Sequence, residues 1–203
     1  MEGKSKVTKN VLLSLVLLFF GGILGTVFYS SSPLFSVVSS ANRYHFSLID
    51  HDGKLRTEKD FSRPYKLVYF GFTYCPLICP TELQKMAEAY LKLTPAQQSL
   101  IQPLFISVDP ERDTPEALKN YVDLFLPNLV GLTGSTEQIE SAKTAYSVFS
   151  RKVPEGDTYT IDHSSFIYLI GPNENLLAQF KPSDSSSILA QRLSDVLTLS
   201  QGK

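Results

Sequence analysis

The chain has 203 residues, of which 43% are hydrophobic, and its 19 basic and 20 acidic side chains leave a net charge of −1. That length suffices for one domain with a core of its own. Beyond residue 41 the balance is 16 basic to 19 acidic side chains, with no repeat and no basic stripe, which argues against a nucleic-acid partner.

Residues 1–10 carry Lys4, Lys6 and Lys9 ahead of an uncharged apolar run, "VLLSLVLLFFGGILGTVFY", at residues 11–29. A helix of that length reaches about 28 Å, close to the thickness of a bilayer's hydrocarbon core. The run exceeds the apolar core of a cleaved signal peptide, so the sequence predicts an uncleaved transmembrane anchor. No cysteine lies near its end, which argues against a lipid-anchored lipoprotein. The preceding lysines keep the N-terminus cytoplasmic and send the remainder across the membrane. A Ser-rich stretch at 30–43 reads as a linker, and residues 44–203 as a domain in a bacterial periplasm, bound to the inner membrane by a single pass. That compartment is oxidising and permits a disulfide bond.

The domain begins with two extended pieces around Asp52-Gly53, a hairpin signal. "KLVYFGF" (66–72) is a continuous apolar run, expected of a strand buried on both faces. Residues 80–93 show helical spacing, with Leu83, Met86, Ala87, Tyr90 and Leu91 on one side, and Pro76 is expected at the helix start. A second buried strand follows at 101–108. "DTPEALKNYVDLF" reads as a cap, a proline in the first turn and a helix. "LVGLTG" is a short strand, and "STEQIESAKTAYSVFS" a capped amphipathic helix. "SFIYLIG" and "NLLAQF" flank Pro172-Asn173 as a last hairpin, before a C-terminal amphipathic helix. Alternating helices and apolar strands, closed by a hairpin and a helix, predict an α/β thioredoxin-like fold with a mixed central sheet and an N-terminal hairpin.

Both cysteines of the chain, Cys75 and Cys79, fall where the first buried strand gives way to its helix. A helix N-terminus stabilises a thiolate, which is at once a nucleophile and a metal ligand. Four-residue spacing puts the two sulfurs about one turn apart. It suits two sulfurs on one metal and also allows a disulfide. Of the three histidines, His45 enters the first strand and His51 sits in the hairpin turn, where structural roles are expected. His163, in "YTIDHSSFIYLIG", lies in a loop that in thioredoxin-like folds packs over the active-site thiols. That loop commonly carries a cis-proline, but no proline occurs between Pro154 and Pro172 here. Two thiols and an imidazole suit Cu(I), with the imidazole helping to hold Cu(II), and zinc is a further candidate.

"YFGFTYCPLICPTEL", "FISVDPERDTPEALKNYV", "LTGS" and "DHSSFIYLIGP" together resemble the Sco/SenC family of membrane-anchored copper proteins, in order, over about residues 46–197. The resemblance implies copper, Cu(I) or Cu(II), bound by Cys75, Cys79 and His163. It also implies assembly of the CuA centre of cytochrome c oxidase, with oxidase subunit II or another oxidase subunit and a copper-donating protein as partners. In "VDPERDTP", Asp109, Arg112 and Asp113 are expected to brace the loop beside the site rather than to ligate. Asp162 is a candidate to orient His163. The chain departs from many relatives at Leu77, where an acid is common, at Tyr74, often histidine, and in "GPNEN", which replaces an aspartate-glycine turn. None of these removes a ligand.

Three other readings compete. A thiol-disulfide oxidoreductase, reducing the oxidase subunit's cysteines or acting as a redox sensor, needs Cys75 and Cys79 but not His163 as a ligand. A peroxiredoxin-like peroxidase needs a Thr-x-x-Cys motif that neither Thr73 nor Thr81 supplies. A structural disulfide leaves His163 without a role.

Overall fold

The structure, a computed structural model, describes residues 44–201. The predicted tail, anchor and linker at 1–10, 11–29 and 30–43 lie outside the described residues, among which no helix is long and apolar enough to cross a membrane.

The chain opens with β1 (Ser47–Asp50) and β2 (Leu55–Thr57), paired antiparallel around the predicted turn. Gly53 takes a left-handed φ of 80° there, a conformation open to glycine at no steric cost. Next come β3 (Tyr65–Gly71), α1 (Ile78–Leu91), a short α2 (Pro95–Leu100), β4 (Ile101–Ser107), α3 (Pro115–Val122), β5 (Val130–Thr133) and α4 (Thr136–Tyr146). A second hairpin, β6 (Ser150–Glu155) and β7 (Thr158–His163), precedes β8 (Ile167–Ile170), β9 (Leu176–Phe180) and α5 (Ser186–Gln201).

Among the described residues seven strands form one mixed sheet in the order β2-β1-β5-β4-β3-β8-β9. Strands β3, β4 and β5 run parallel, while β8 pairs antiparallel with β3 and with β9. The βαβ start and ββα end make this the thioredoxin-type arrangement that the sequence predicts. Leu67, Val68, Tyr69 and Phe70 are all fully buried, so β3 carries no polar alternation because neither of its faces meets water. Helix α3 starts where Thr114 accepts a hydrogen bond from the Ala117 amide, with Pro115 in the first turn. Helix α4 starts with a reciprocal capping box between Ser135 and Gln138.

Four points of the sequence reading need correction. Helix α1 begins at Ile78, not at Pro76, and Leu91 at its end is exposed rather than on the buried face. The sequence reading passes over α2, a single short turn capped by Thr94. It also passes over the β6–β7 hairpin, treating its second strand as a loop. β6 reads "SRKVPE", mostly exposed and interrupted by Pro154, so it lacks the apolar alternation of a half-buried strand. The overlooked signal is Gly156-Asp157 between the strands, where Gly156 takes a φ of 59°, followed by Tyr159, Ile161 and His163 at period two. β6 and β7 pair only with each other among the described residues.

Candidate metal centre

The sulfurs and the imidazole come from opposite kinds of structure. Cys75 lies in the loop that leaves β3, half-buried. Cys79 sits in the first turn of α1 and is fully buried. Helix α1 has no side-chain cap from Leu77. Its first turn uses the Cys75 sulfur instead, which accepts the Cys79 backbone N–H at 3.3 Å. The partly positive end of the helix therefore faces a sulfur. Gly71 makes room for the second thiol: a Cβ at that position would stand 2.9 Å from both the Cys79 sulfur and the Phe105 ring.

His163 ends β7, opposite Ser150, and its Nε2 lies 3.4 Å from the Cys79 sulfur. Its Nδ1 lies 3.0 Å from the Ser164 carbonyl oxygen. A carbonyl only accepts, so Nδ1 donates to it, and that bond turns Nε2 toward the sulfurs. Asp162 does not take the orienting role expected of it. It points to solvent and pairs with Arg151 at 2.8 Å, because successive residues of a strand face opposite sides. The imidazole is flanked edge-on by Phe72, at 5.8 Å between ring centres, and by Tyr69 at 6.3 Å. The Tyr69 hydroxyl is buried without a nitrogen or oxygen partner.

The thiols share one proton unequally. Cys75 is pulled down to about 4, first by the hydrogen bond from the Cys79 thiol, against the cost of burial, and then by His163 and the amides of Cys79 and Leu77. Cys79 is pushed up, first as the donor in that bond and then by burial. The result is a half-exposed thiolate beside a buried thiol, both cysteines being free. Cys75 and His163 open on a cleft of about 270 Å³ that also touches Leu77, Ile78, Thr160 and Ser165, with Cys79 buried behind them. A larger groove of about 580 Å³ lies elsewhere along α1, by Lys85 and Phe125, and holds none of these three residues.

The three predicted ligand residues meet: one donor atom from each of Cys75, Cys79 and His163 lies within 4.8 Å of the others. Metal–sulfur and metal–nitrogen bonds of about 2.0–2.3 Å place donors up to about 4.6 Å apart across one ion, so the set fits a single metal with little adjustment. Two soft sulfurs and an imidazole match Cu(I), Cu(II) or zinc. The other histidines are elsewhere. His51 is structural, its Nδ1 accepting the Gly131 amide at 3.0 Å, and His45 is exposed at the entry to β1.

The three braces in "VDPERDTP" are present and divide the work. Asp113, fully buried, accepts from the Thr73 amide at 3.1 Å and from the Thr73 and Ser107 hydroxyls at 2.6 Å each. It thereby ties the end of β4 to the loop leading to Cys75, while burial pushes its carboxyl up. Asp109 pairs with Arg112. Sequence reasoning missed Gly71, Tyr69, Phe72 and Ser164. The first three look like ordinary strand residues, and Ser164 acts through its backbone, which no side-chain pattern reports.

The SCO1/SenC family model matches residues 38–198. The mitochondrial SCO1 homolog of Mus musculus is 44% identical over 148 residues, 71% of this chain and 52% of its own length. The chain thus spans about half the length of the curated relatives it matches first. Among solved structures, Arabidopsis thaliana ScoI with copper bound superposes with a TM-score of 0.71 at 41% identity, covering 76% of this chain and 97% of that one. Bradyrhizobium japonicum ScoI with copper bound gives 0.68 at 37% identity, covering 74% and 96%.

Proposed function

The chain belongs to the SCO1/SenC family, and from that membership we propose that it binds one copper ion through Cys75, Cys79 and His163 and assists assembly of the CuA centre of cytochrome c oxidase. The observation that carries the reading is the convergence of two sulfurs and one imidazole on a single point beside an open cleft. The Cys75 thiolate is a ready soft donor, Cys79 gives up its proton on metal binding, and His163 presents Nε2 because Ser164 holds Nδ1. Bound copper would be cargo, held by thiolates in the Cu(I) state and completed by the imidazole in the Cu(II) state. Oxidase subunit II and a copper-donating protein are the partners this role requires. The apolar run at 11–29 behind three lysines supports a single-pass anchor in a bacterial inner membrane, with 1–10 cytoplasmic, 30–43 a linker and 44–203 the periplasmic domain.

A second reading draws on the low-pKa, half-exposed Cys75 backed by a protonated Cys79. This is the asymmetry of a dithiol reductant. The Cys75 thiolate would attack a disulfide of the oxidase subunit and displace one partner sulfur as a thiolate. Cys79 would then resolve the mixed disulfide, so that the partner gains two electrons and Cys75 and Cys79 form a disulfide.

The deciding experiment is anaerobic titration of the reduced full chain in detergent with Cu(I) and Cu(II). One equivalent of each should be retained on desalting, with intense thiolate charge-transfer absorption for Cu(II). A colourless, copper-free protein would overturn the copper reading and leave the reductase.

A further inference from the structure

The hairpin that carries His163 has no backbone hydrogen bonds to the main sheet among the described residues, so beyond its short chain link to β8 its position is set by side-chain contacts. At the base, next to the site, one further rung closes the two strands on each other: Ser164 donates its amide to the Phe149 carbonyl at 2.9 Å and its hydroxyl accepts the Phe149 amide at 3.1 Å. Further out, Ile161 is buried in the core, Lys152 is ion-paired with Glu111, and Arg112 makes the remaining contacts. Its Nη1 donates to the Tyr159 carbonyl at 2.9 Å, and its guanidinium lies 3.8 Å from the centre of the Tyr159 ring. The Tyr159 hydroxyl donates to Asp109 at 2.8 Å, and Asp109, fully buried, is ion-paired with Arg112. The same guanidinium stands 4.7 Å from the ring of Tyr74, the neighbour of Cys75, and 5.8 Å from the ring of Phe72, which flanks His163.

Tyr159, Ile161 and His163 share one face of β7, since side chains of a strand alternate. Tyr159 and His163 are about 13 Å apart along it at roughly 3.3 Å per residue. A tilt at the outer attachment therefore displaces the imidazole, while the sulfurs, one in the loop that leaves β3 and one in the first turn of α1, stay where they are.

We propose that Arg112 and Tyr159, closed on Asp109, form a latch that positions the β6–β7 hairpin and so sets how strongly the site holds Cu(II) relative to Cu(I). The latch rests on the copper reading above and adds two positioning residues to it. Two thiolates alone satisfy Cu(I), whereas Cu(II) depends on the imidazole that the hairpin delivers. A loose latch costs affinity for the oxidised ion and spares the reduced one.

The test compares the full chain with Tyr159→Leu, Tyr159→Phe and Arg112→Lys, all in detergent. Tyr159→Leu removes ring and hydroxyl but leaves the Arg112–Asp109 pair intact, so no buried charge is stranded. Losing those contacts should weaken Cu(II) by about tenfold while Cu(I) changes by less than about threefold. Tyr159→Phe, which keeps the stacking, should fall between wild type and Leu. Arg112→Lys, which keeps the charge but loses the planar fork, should resemble Tyr159→Leu. Amide exchange at Thr160–His163 should accelerate in the metal-free variants, with thermal unfolding unchanged. Equal losses of Cu(I) and Cu(II), or no loss of either, would overturn the latch. Should wild type itself retain no copper, the copper reading fails, and exchange alone then decides: unaltered protection at residues 160–163 overturns the latch, accelerated exchange upholds it.

Discussion

The dithiol half of the site and the histidine half differ in everything but their meeting point. Cys79 is fully buried behind Gly71, on a junction of strand and helix whose neighbours Tyr69, Phe70 and Phe105 are equally buried. His163 ends a largely exposed two-stranded arm held by side-chain contacts. The Cys79 sulfur is part of the core and the Cys75 sulfur packs against it, so moving the pair means repacking that core. The imidazole is presented by an appendage, and moving it costs a few hydrogen bonds. A site built this way holds the ion that needs only sulfur rigidly and the ion that also needs nitrogen conditionally.

The largest break in that comparison is Cys79→Ser. Losing one of two soft donors should lower Cu(I) affinity on the order of a thousandfold, about 4 kcal/mol. The fold should persist, because serine is close to cysteine in volume. A competition titration against a Cu(I) chelator reads the loss, and near-normal affinity would remove Cys79 from the ligand set.

His163→Ala sharpens the asymmetry. Cu(II) affinity should drop by about a hundredfold, with the charge-transfer band displaced, and Cu(I) affinity by about tenfold at most. Parallel titrations check this, and a larger loss for Cu(I) than for Cu(II) would invert the division of labour between sulfur and imidazole.

Gly71→Ala strikes the rigid half alone. A methyl group placed 2.9 Å from the Cys79 sulfur and the Phe105 ring should cost about 1–3 kcal/mol of stability as the core gives way. Denaturant unfolding measures it, and an unchanged midpoint would show that the dithiol bed is softer than the contacts imply.

The smallest effect is one of pH. With the Cys75 thiol drawn down to about 4, its thiolate is fully present above that value and disappears below it. Alkylation of the reduced, metal-free protein by iodoacetamide should therefore proceed at a pH-independent rate from pH 6 to 8 at one residue, Cys75. The rate should fall toward pH 4, and Cys79, held protonated, should lag. Peptide mapping of the adducts distinguishes the two thiols. A rate still rising through pH 8 would mean an ordinary thiol.

The rigid half was the more legible in sequence. The apolar run ending at Gly71 and the two cysteines astride a helix start are local patterns, and each reflects chain chemistry that needs no distant partner. The hairpin was not legible as strands, since β6 has Pro154 and no apolar alternation, yet His163 was still singled out from its place in the chain. The role offered to Asp162 failed for a local reason, the alternation of β7, which aims neighbours to opposite sides. The braces at Asp109, Arg112 and Asp113 could be named from their motif, but their partners Tyr159 and Thr73 lie 50 and 40 residues away, respectively, from the aspartates that bind them.

Sequence by itself determined the alternation of buried strands with capped helices, the siting of both thiols at a helix N-terminus, and the choice of donor atoms. These depend on hydrophobic period, capping chemistry and ligand softness, all written within a few residues. Only the tertiary structure decided that Cys79 lies behind a glycine, that a backbone carbonyl orients His163, and that an arginine closed on a tyrosine carries the arm to the thiols. The glycine stands eight positions from Cys79 and the carbonyl belongs to the residue next to His163, yet both arrangements follow from backbone path and packing rather than residue type, and Arg112 and Tyr159 meet across 47 positions that no local pattern records.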